Sequence, residues 1–233
     1  YRRQRQMCIR DRAQGDPVEK ARLLKEWADA GTYSTNMGSR VHFLLEQKSV
    51  DMFELGKEVR KPEFECDFMQ ILKSDSMVKA GINFLELMKE RGGELLDTEI
   101  VLGDPELNYV GQPDKMWLFL DKSGEEIGVI ISDYKTNKPK NFEVNQFTKS
   151  MYHPFQKHPN NALGHYYLQL PFYVKLFLKM LKGSKYENIK FLGGIIVLLK
   201  DNGTFEEFRI PKDVITTILT VSYTHLTLPT ILL

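Results

Sequence analysis

Ile127-Gly128-Val129-Ile130-Ile131-Ser132-Asp133-Tyr134-Lys135-Thr136 is the stretch on which the reading of this chain turns. From Ile127 to Ile131 it is apolar or small throughout, the composition of an interior strand. Asp133 then falls where such a strand leaves the core. A carboxylate at that point costs on the order of several kcal/mol unless it is paired or bound to a metal. Lys135 lies two residues on, so strand alternation puts it on the same face as Asp133. The triplet therefore reads either as an ordinary Asp–Lys ion pair or as part of a hard-cation site with a lysine beside it.

Working upstream, Leu95 to Leu102 and Tyr109 to Leu120 also read as strands, and Asp121 to Gly124 supplies a hairpin turn into Ile127 to Tyr134. That meander brings a second carboxylate, Asp114 of Gly111-Gln112-Pro113-Asp114, toward Asp133. Earlier still, Pro17 to Ala30 reads as a helix capped by Asp16 with Pro17 at its first position. Gly38 to Lys48 reads as a second helix, and about Glu65 to Arg91 as a third, broken near Ser74 to Ser76 and ended by Gly92-Gly93.

Working downstream, a loop rich in Asn, Lys and Pro covers about Thr136 to Asn161, and is expected to lie over the site. Ala162 to Leu181 reads as a helix, kinked at Pro171. Ile189 to Leu199 is a very apolar strand that turns through Asp201-Asn202-Gly203 into Thr204 to Ile210. Trp27 and Trp117 read as core. There is no repeat and no internal linker, so residues 13–220 are expected to form one α/β domain, a mixed sheet flanked by helices.

The ends are set apart. Met7 to Asp11 written as ATG TGT ATA AGA GAC reverse-complements to GTC TCT TAT ACA CAT, which encodes Val221 to His225. Arg2 to Gln6 reverse-complements into Leu226 to Thr230 in the same way. Residues 1–12 and 221–233 are therefore expected to be translated sequencing adapter rather than native protein, with the true frame continuing past residue 12.

The whole chain has 233 residues, 42% of them apolar, with 32 Lys and Arg against 31 Asp and Glu. It is too apolar for a disordered tail, and its two cysteines exclude a disulfide framework. No apolar run reaches the roughly 18 residues of a membrane helix. With Cys8 set aside, Cys66 is the only thiol, and a cytoplasmic setting is the default. Charge is uneven: residues 13–133 hold 14 basic and 24 acidic side chains, whereas 134–200 hold eleven Lys and only Glu143 and Glu187. Lysines interleaved with Tyr152, Phe155, Tyr166, Tyr167 and Tyr173 suit a phosphate backbone, and equally suit the solvated face of a helix and loop.

Five features stand in order: Gly38-Ser39-Arg40-Val41-His42 followed by Glu46, then Glu99, then Gly111 to Asp114, then Asp133 to Thr136, then Gln169-Leu170-Pro171-Phe172-Tyr173. This order resembles the PD-(D/E)XK nucleases, in particular their RecB-like exonuclease branch, with its G-x-x-x-H helix, G-x-x-D strand, D-Y-K-T strand end and Q-x-x-x-Y helix. The likeness runs from about Lys25 to Ile210. It implies a restriction-endonuclease-like core and metal-dependent hydrolysis of DNA. Asp114 and Asp133 would be catalytic, metal-ligating carboxylates, the Tyr134 carbonyl a further ligand, and His42 at or beside the metal. Lys135 would orient or activate the attacking water. Gln169 and Tyr173, one helical turn apart, would hold the DNA strand, with Glu46 and Glu99 as further acidic candidates. Without the resemblance, His42 reads as a core histidine and the Gln169–Tyr173 pair as helix surface.

The implied cofactor is Mg²⁺, with Mn²⁺ as a substitute. The four-cysteine iron–sulfur cluster of some relatives is not expected with Cys66 alone. The implied partner is DNA, without a membrane. No P-loop is present, so any helicase would be a separate chain, as would a single-strand annealing protein. Single-domain relatives of bacteriophages serve recombination, repair or processing. Exonuclease action is expected over site-specific cutting, because nothing in the chain looks like a base-reading element. Two other readings stay open: a catalytically idle DNA-binding module of the same fold, and a metal-dependent hydrolase of a non-nucleic substrate.

Overall fold

The computed structural model describes residues 12, 13, 15–106, 108–120, 123, 124 and 126–220. Helix α1, Pro17–Met52, is capped by the Asp16 side chain, which accepts from the Val18 amide at 2.8 Å. It is one helix of 36 residues where the sequence predicts two. The intervening stretch is held helical by tertiary contacts: Gln70 Nε2 donates to the Tyr33 carbonyl and Asn36 Nδ2 to the Glu65 carbonyl, each at 2.7 Å. Packing here overrides the weak local propensity of Gly31, Thr32 and Asn36.

Helix α2, Phe68–Glu90, starts with a reciprocal capping box between Asp67 and Gln70. It too runs without the predicted break. The Ser74 and Ser76 hydroxyls donate back to the Ile71 and Leu72 carbonyls of their own helix, which removes the reason to open it.

Among the described residues seven strands follow: β1 Gly93–Thr98, β2 Leu102–Asp104, β3 Tyr109–Gly111, β4 Lys115–Leu120, β5 Glu126–Lys135, β6 Phe191–Leu199 and β7 Phe205–Arg209. Five form the main sheet in the order β1-β4-β5-β6-β7, in which β5 and β6 are parallel and the other neighbours antiparallel. β2 and β3 form a separate ribbon. Two predicted strands are thus each cut in two. Glu99 takes a left-handed φ of 53°, which ends β1, and Pro113, with no N–H to donate, separates β3 from β4. Of the predicted turn Asp121 to Gly124, Asp121 and Lys122 lie outside the described residues, as do residues 1–11 and 221–233.

Helix α3, Ala162–Met180, continues through Pro171. Helix α4, Lys212–Thr220, is an addition to the elements read from sequence, though Val214 and Ile218, one turn apart, are its fully buried positions.

Alternation along the strands divides the core in two. Met116, Val129, Ile131, Ile196 and Leu198 pack with α3 and α4. Leu95, Trp117, Tyr134, Ile195 and Val197 pack with α1 and α2, around Phe84 and Leu45. Each large apolar side chain fully buried there contributes roughly 1.5–3 kcal/mol. Trp117 is core as expected, whereas Trp27 is half-buried against a small outlying pair, Ala13 and Leu23. The architecture is the expected one, a mixed sheet flanked by helices.

Candidate functional site

β4 pairs with β5 only as far as Lys115 opposite Ser132, while β5 continues beside β6 to Lys135. The overhanging residues are Asp133, Tyr134 and Lys135. On the side that β4 has vacated, the Tyr134 amide donates to Asp114 Oδ2 at 2.5 Å. N–H and C=O of one strand residue face the same neighbour, so the Tyr134 carbonyl lies toward Asp114 as well. Asp114 therefore docks onto the end of β5.

Its other oxygen reaches helix α1. His42 Nδ1 lies 3.1 Å from Asp114 Oδ1 and 3.6 Å from a Glu99 oxygen. One ligand atom from each of His42, Glu99 and Asp114 falls within 4.8 Å of the others. Gly38, one turn before His42, has the Thr136 hydroxyl 3.4 Å from where a Cβ would stand, so α1 passes directly over the end of β5. Glu99 is drawn in by backbone: its left-handed φ ends β1, and its amide donates to the Asp114 carbonyl at 3.0 Å.

Asp133 lies beside this group rather than in it. Its Oδ2 pairs with Lys135, whose Nζ also sits 4.3 Å from the centre of the Tyr166 ring. Gln169 donates to the Tyr173 hydroxyl, so these two share a face as the sequence suggested, and the Tyr173 phenol feels the Asp133 charge. The Tyr173 ring lies against Gly111, where a Cβ would come within 2.2 Å of it. Glu46 stands apart from the His42 group, 3.8 Å from Lys57.

Three residues escaped the sequence reading. Lys115 is 1% exposed, and donates to Thr98 Oγ1 at 2.6 Å and to the Asp114 carbonyl at 3.1 Å. A lysine opening an otherwise apolar strand was the available signal. Lys57 and Arg60, from the stretch between α1 and α2, help line a cleft of about 640 Å³ with His42, Glu46, Glu99 and Gln112. Nothing in the local sequence ties that stretch to Glu99.

Electrostatics sort the groups. Burial works against the charge on Asp114, but His42, Lys135 and Lys115 outweigh it and hold its carboxyl well below the usual range. Burial also opposes the charge on His42, yet Asp114 and Glu99 hold its pKa up at about 10. Glu99 is pushed up to about 6 by burial and by Asp114, against the pull of His42. Asp133 is pushed up to about 6 by burial and by Asp114, against the pull of Lys135. Lys135 is raised because Asp133 and Asp114 overcome its burial, whereas Lys115 is lowered by burial. The carboxylates are thus crowded enough to resist ionising together.

The His42–Glu99–Asp114 group fits a divalent cation. Ligand distances of roughly 2.0–2.6 Å allow donors on opposite sides of an ion to stand up to about 5 Å apart. Crowded carboxylates gain most from an added positive charge. The donor set of one nitrogen and several oxygens admits Mg²⁺, Mn²⁺ or Zn²⁺ on softness alone. No helix among the described residues is long and apolar enough to cross a membrane. No known family model matches the chain, and no curated protein does.

Proposed function

We propose that this protein is a divalent-metal-dependent deoxyribonuclease, acting on DNA from its ends in recombination, repair or processing. One observation carries the reading: Asp114, Asp133 and Lys135 converge at the overhanging end of β5, with His42 and Glu99 against Asp114. His42, Asp114 and Glu99 would hold the metal, with Asp133 and the Tyr134 carbonyl alongside. When bound, a Mg²⁺ or Mn²⁺ ion there supplies Lewis-acid stabilisation of phosphate oxygens and a water of lowered pKa.

The chain's own groups do the rest. Lys135, fixed by Asp133 and kept charged, sets a positive group where a phosphate gains negative charge. Asp133, with its carboxyl pushed up to about 6, is suited to exchange a proton near neutrality. Tyr173, which feels the Asp133 charge, and Gln169, which donates to its hydroxyl, would steady the strand by its backbone. Any helicase or annealing partner would be a separate chain.

The test is end-labelled linear DNA and closed circular DNA, each with Mg²⁺ or with EDTA. Mg²⁺-dependent release of nucleotides from linear DNA only is the expected result. No release from either substrate would overturn the reading, and equal attack on circles would change exonuclease to endonuclease.

A further inference from the structure

The segment from Lys138 to Asn161 is tied down along its length. Phe142, Met151 and Phe155 are buried in the core beside α3. Residues 149–151 run antiparallel to 158–160: Asn160 N donates to the Lys149 carbonyl at 2.7 Å and Met151 N to the His158 carbonyl at 3.0 Å. His158 pairs with Asp213 of α4 at 2.9 Å, and Asn161 Nδ2 donates to the Glu143 carbonyl at 3.1 Å. At Gly164 the fit is closest, for a Cβ there would stand 1.9 Å from the Pro159 carbonyl oxygen.

Two rings on this anchored frame nevertheless point to water. Phe147 is 82% exposed and Tyr152 88%, the two highest values among the exposed large apolar side chains of the described residues. Each belongs to a hydrogen-bonded turn: Thr148 N donates to the Asn145 carbonyl, and Phe155 N to the Tyr152 carbonyl. Ordering a backbone in order to expose its aromatics has no benefit to folding. The same segment carries Lys138, Lys140, Lys149 and Lys157, all exposed and none in an ion pair among the described residues, and the only acid from 138 to 161 is Glu143.

We propose that this segment is a binding platform for single-stranded nucleic acid, with Phe147 and Tyr152 stacking on unpaired bases and the four lysines following the phosphates. Unpaired bases offer π-faces without sequence preference, and unneutralised lysines offset the backbone charge. Four unpaired lysines against the single Glu143 suit a polyanion better than a neutral apolar partner. The platform also joins the site physically: Phe142 packs on Tyr166 at 5.8 Å between ring centres, and Lys135 Nζ lies 4.3 Å from the centre of the same Tyr166 ring. The proposal rests on the nuclease reading for its substrate and adds where the strand runs.

Fluorescence anisotropy of the full chain in EDTA, with a labelled oligo-dT and an abasic oligomer of equal length, tests it without cleavage. Phe147→Ala and Tyr152→Ala should each weaken oligo-dT binding on the order of tenfold, and leave the weaker abasic binding unchanged. Phe147→Trp should bind oligo-dT normally, with fluorescence quenched by it and not by the abasic chain. Wild-type protein that binds both oligomers equally, alanine variants that bind oligo-dT normally, or variants that instead abolish self-association would each overturn the proposal. Base-dependent binding without Mg²⁺-dependent cleavage would leave the platform standing and remove the nuclease. Cleavage unaffected by the alanine variants, with unchanged oligo-dT affinity, would do the reverse.

Discussion

Two lysines lie at the end of β5, buried Lys115 beside it and half-buried Lys135 closing it, one on each face of the sheet, and their surroundings differ. Lys135 faces α3 and rests against the Asp133 carboxylate, which holds it charged. Lys115 faces α1 and α2, and gives its protons to a hydroxyl and a carbonyl, so burial lowers its pKa. The same side chain is thus held charged by a carboxylate on one face and tied to a hydroxyl and a carbonyl on the other. Asp114 belongs to both, since one oxygen meets His42, the other meets the Tyr134 amide, and its carbonyl receives Lys115.

Asp114→Asn tests the joint between the faces and has the largest expected effect. Mg²⁺-dependent cleavage should fall on the order of a thousandfold or more, with Mn²⁺ binding by calorimetry lost. A variant cleaving within tenfold of wild type would dissolve the comparison. The lysines should then separate. Lys135→Met is expected to cut cleavage on the order of a hundredfold while Mn²⁺ affinity stays within a few-fold. Lys115→Ala is expected to lower unfolding free energy by roughly 2–4 kcal/mol, because it leaves a cavity and removes the donor to the Thr98 hydroxyl, which keeps only its own bond to the Asp114 carbonyl. Denaturant titration of both variants reads the contrast, and equal stability losses would erase it.

The pH dependence sharpens the metal side. Glu99 and Asp133 are raised to about 6, so they bind protons below that pH, and His42 holds its proton to about 10. Mn²⁺ affinity should therefore climb from pH 5 to 7 and keep rising toward pH 10, with protons released on binding. For folding without metal the sign is opposite. Stability contributed by His42 is complete below its ordinary 6.5 and is lost as pH rises to about 10. His42→Gln should flatten the upper limb of both profiles, and an unchanged limb would show that His42 is not the group responsible.

Tyr134→Phe has the smallest expected effect. The Tyr134 hydroxyl is buried with no hydrogen-bond partner among the described residues, so its removal should leave stability unchanged or raise it by up to about 1 kcal/mol. A large loss would mean that the hydroxyl has a role on the α1 face.

The apolar runs of β5 and β6 and the acid near the end of β5 were legible because burial and alternation are local properties. The full length of α1 was not, because its middle is held by Gln70 and Asn36 through bonds across more than 25 positions of sequence. Glu99 was visible as an acid, but its approach to His42 depends on a left-handed backbone that sequence does not announce for glutamate. Lys115 was hidden by neighbourhood: beside Asp114 it looks like a surface pair, and only the alternation of β4 sends it into the core.

The overhang of β5 past β4 makes the proposed site depend on registration. A one-step slip of that ribbon would swap inward and outward positions, sending Asp133 and Lys135 among Phe84 and Leu45 and turning Ser132 and Tyr134 to the opposite layer. The Trp117–Ser132 bond of 2.9 Å sits two rungs from the site, like a pin through the ladder. Greasy side chains far from any substrate therefore decide whether the charges meet at all.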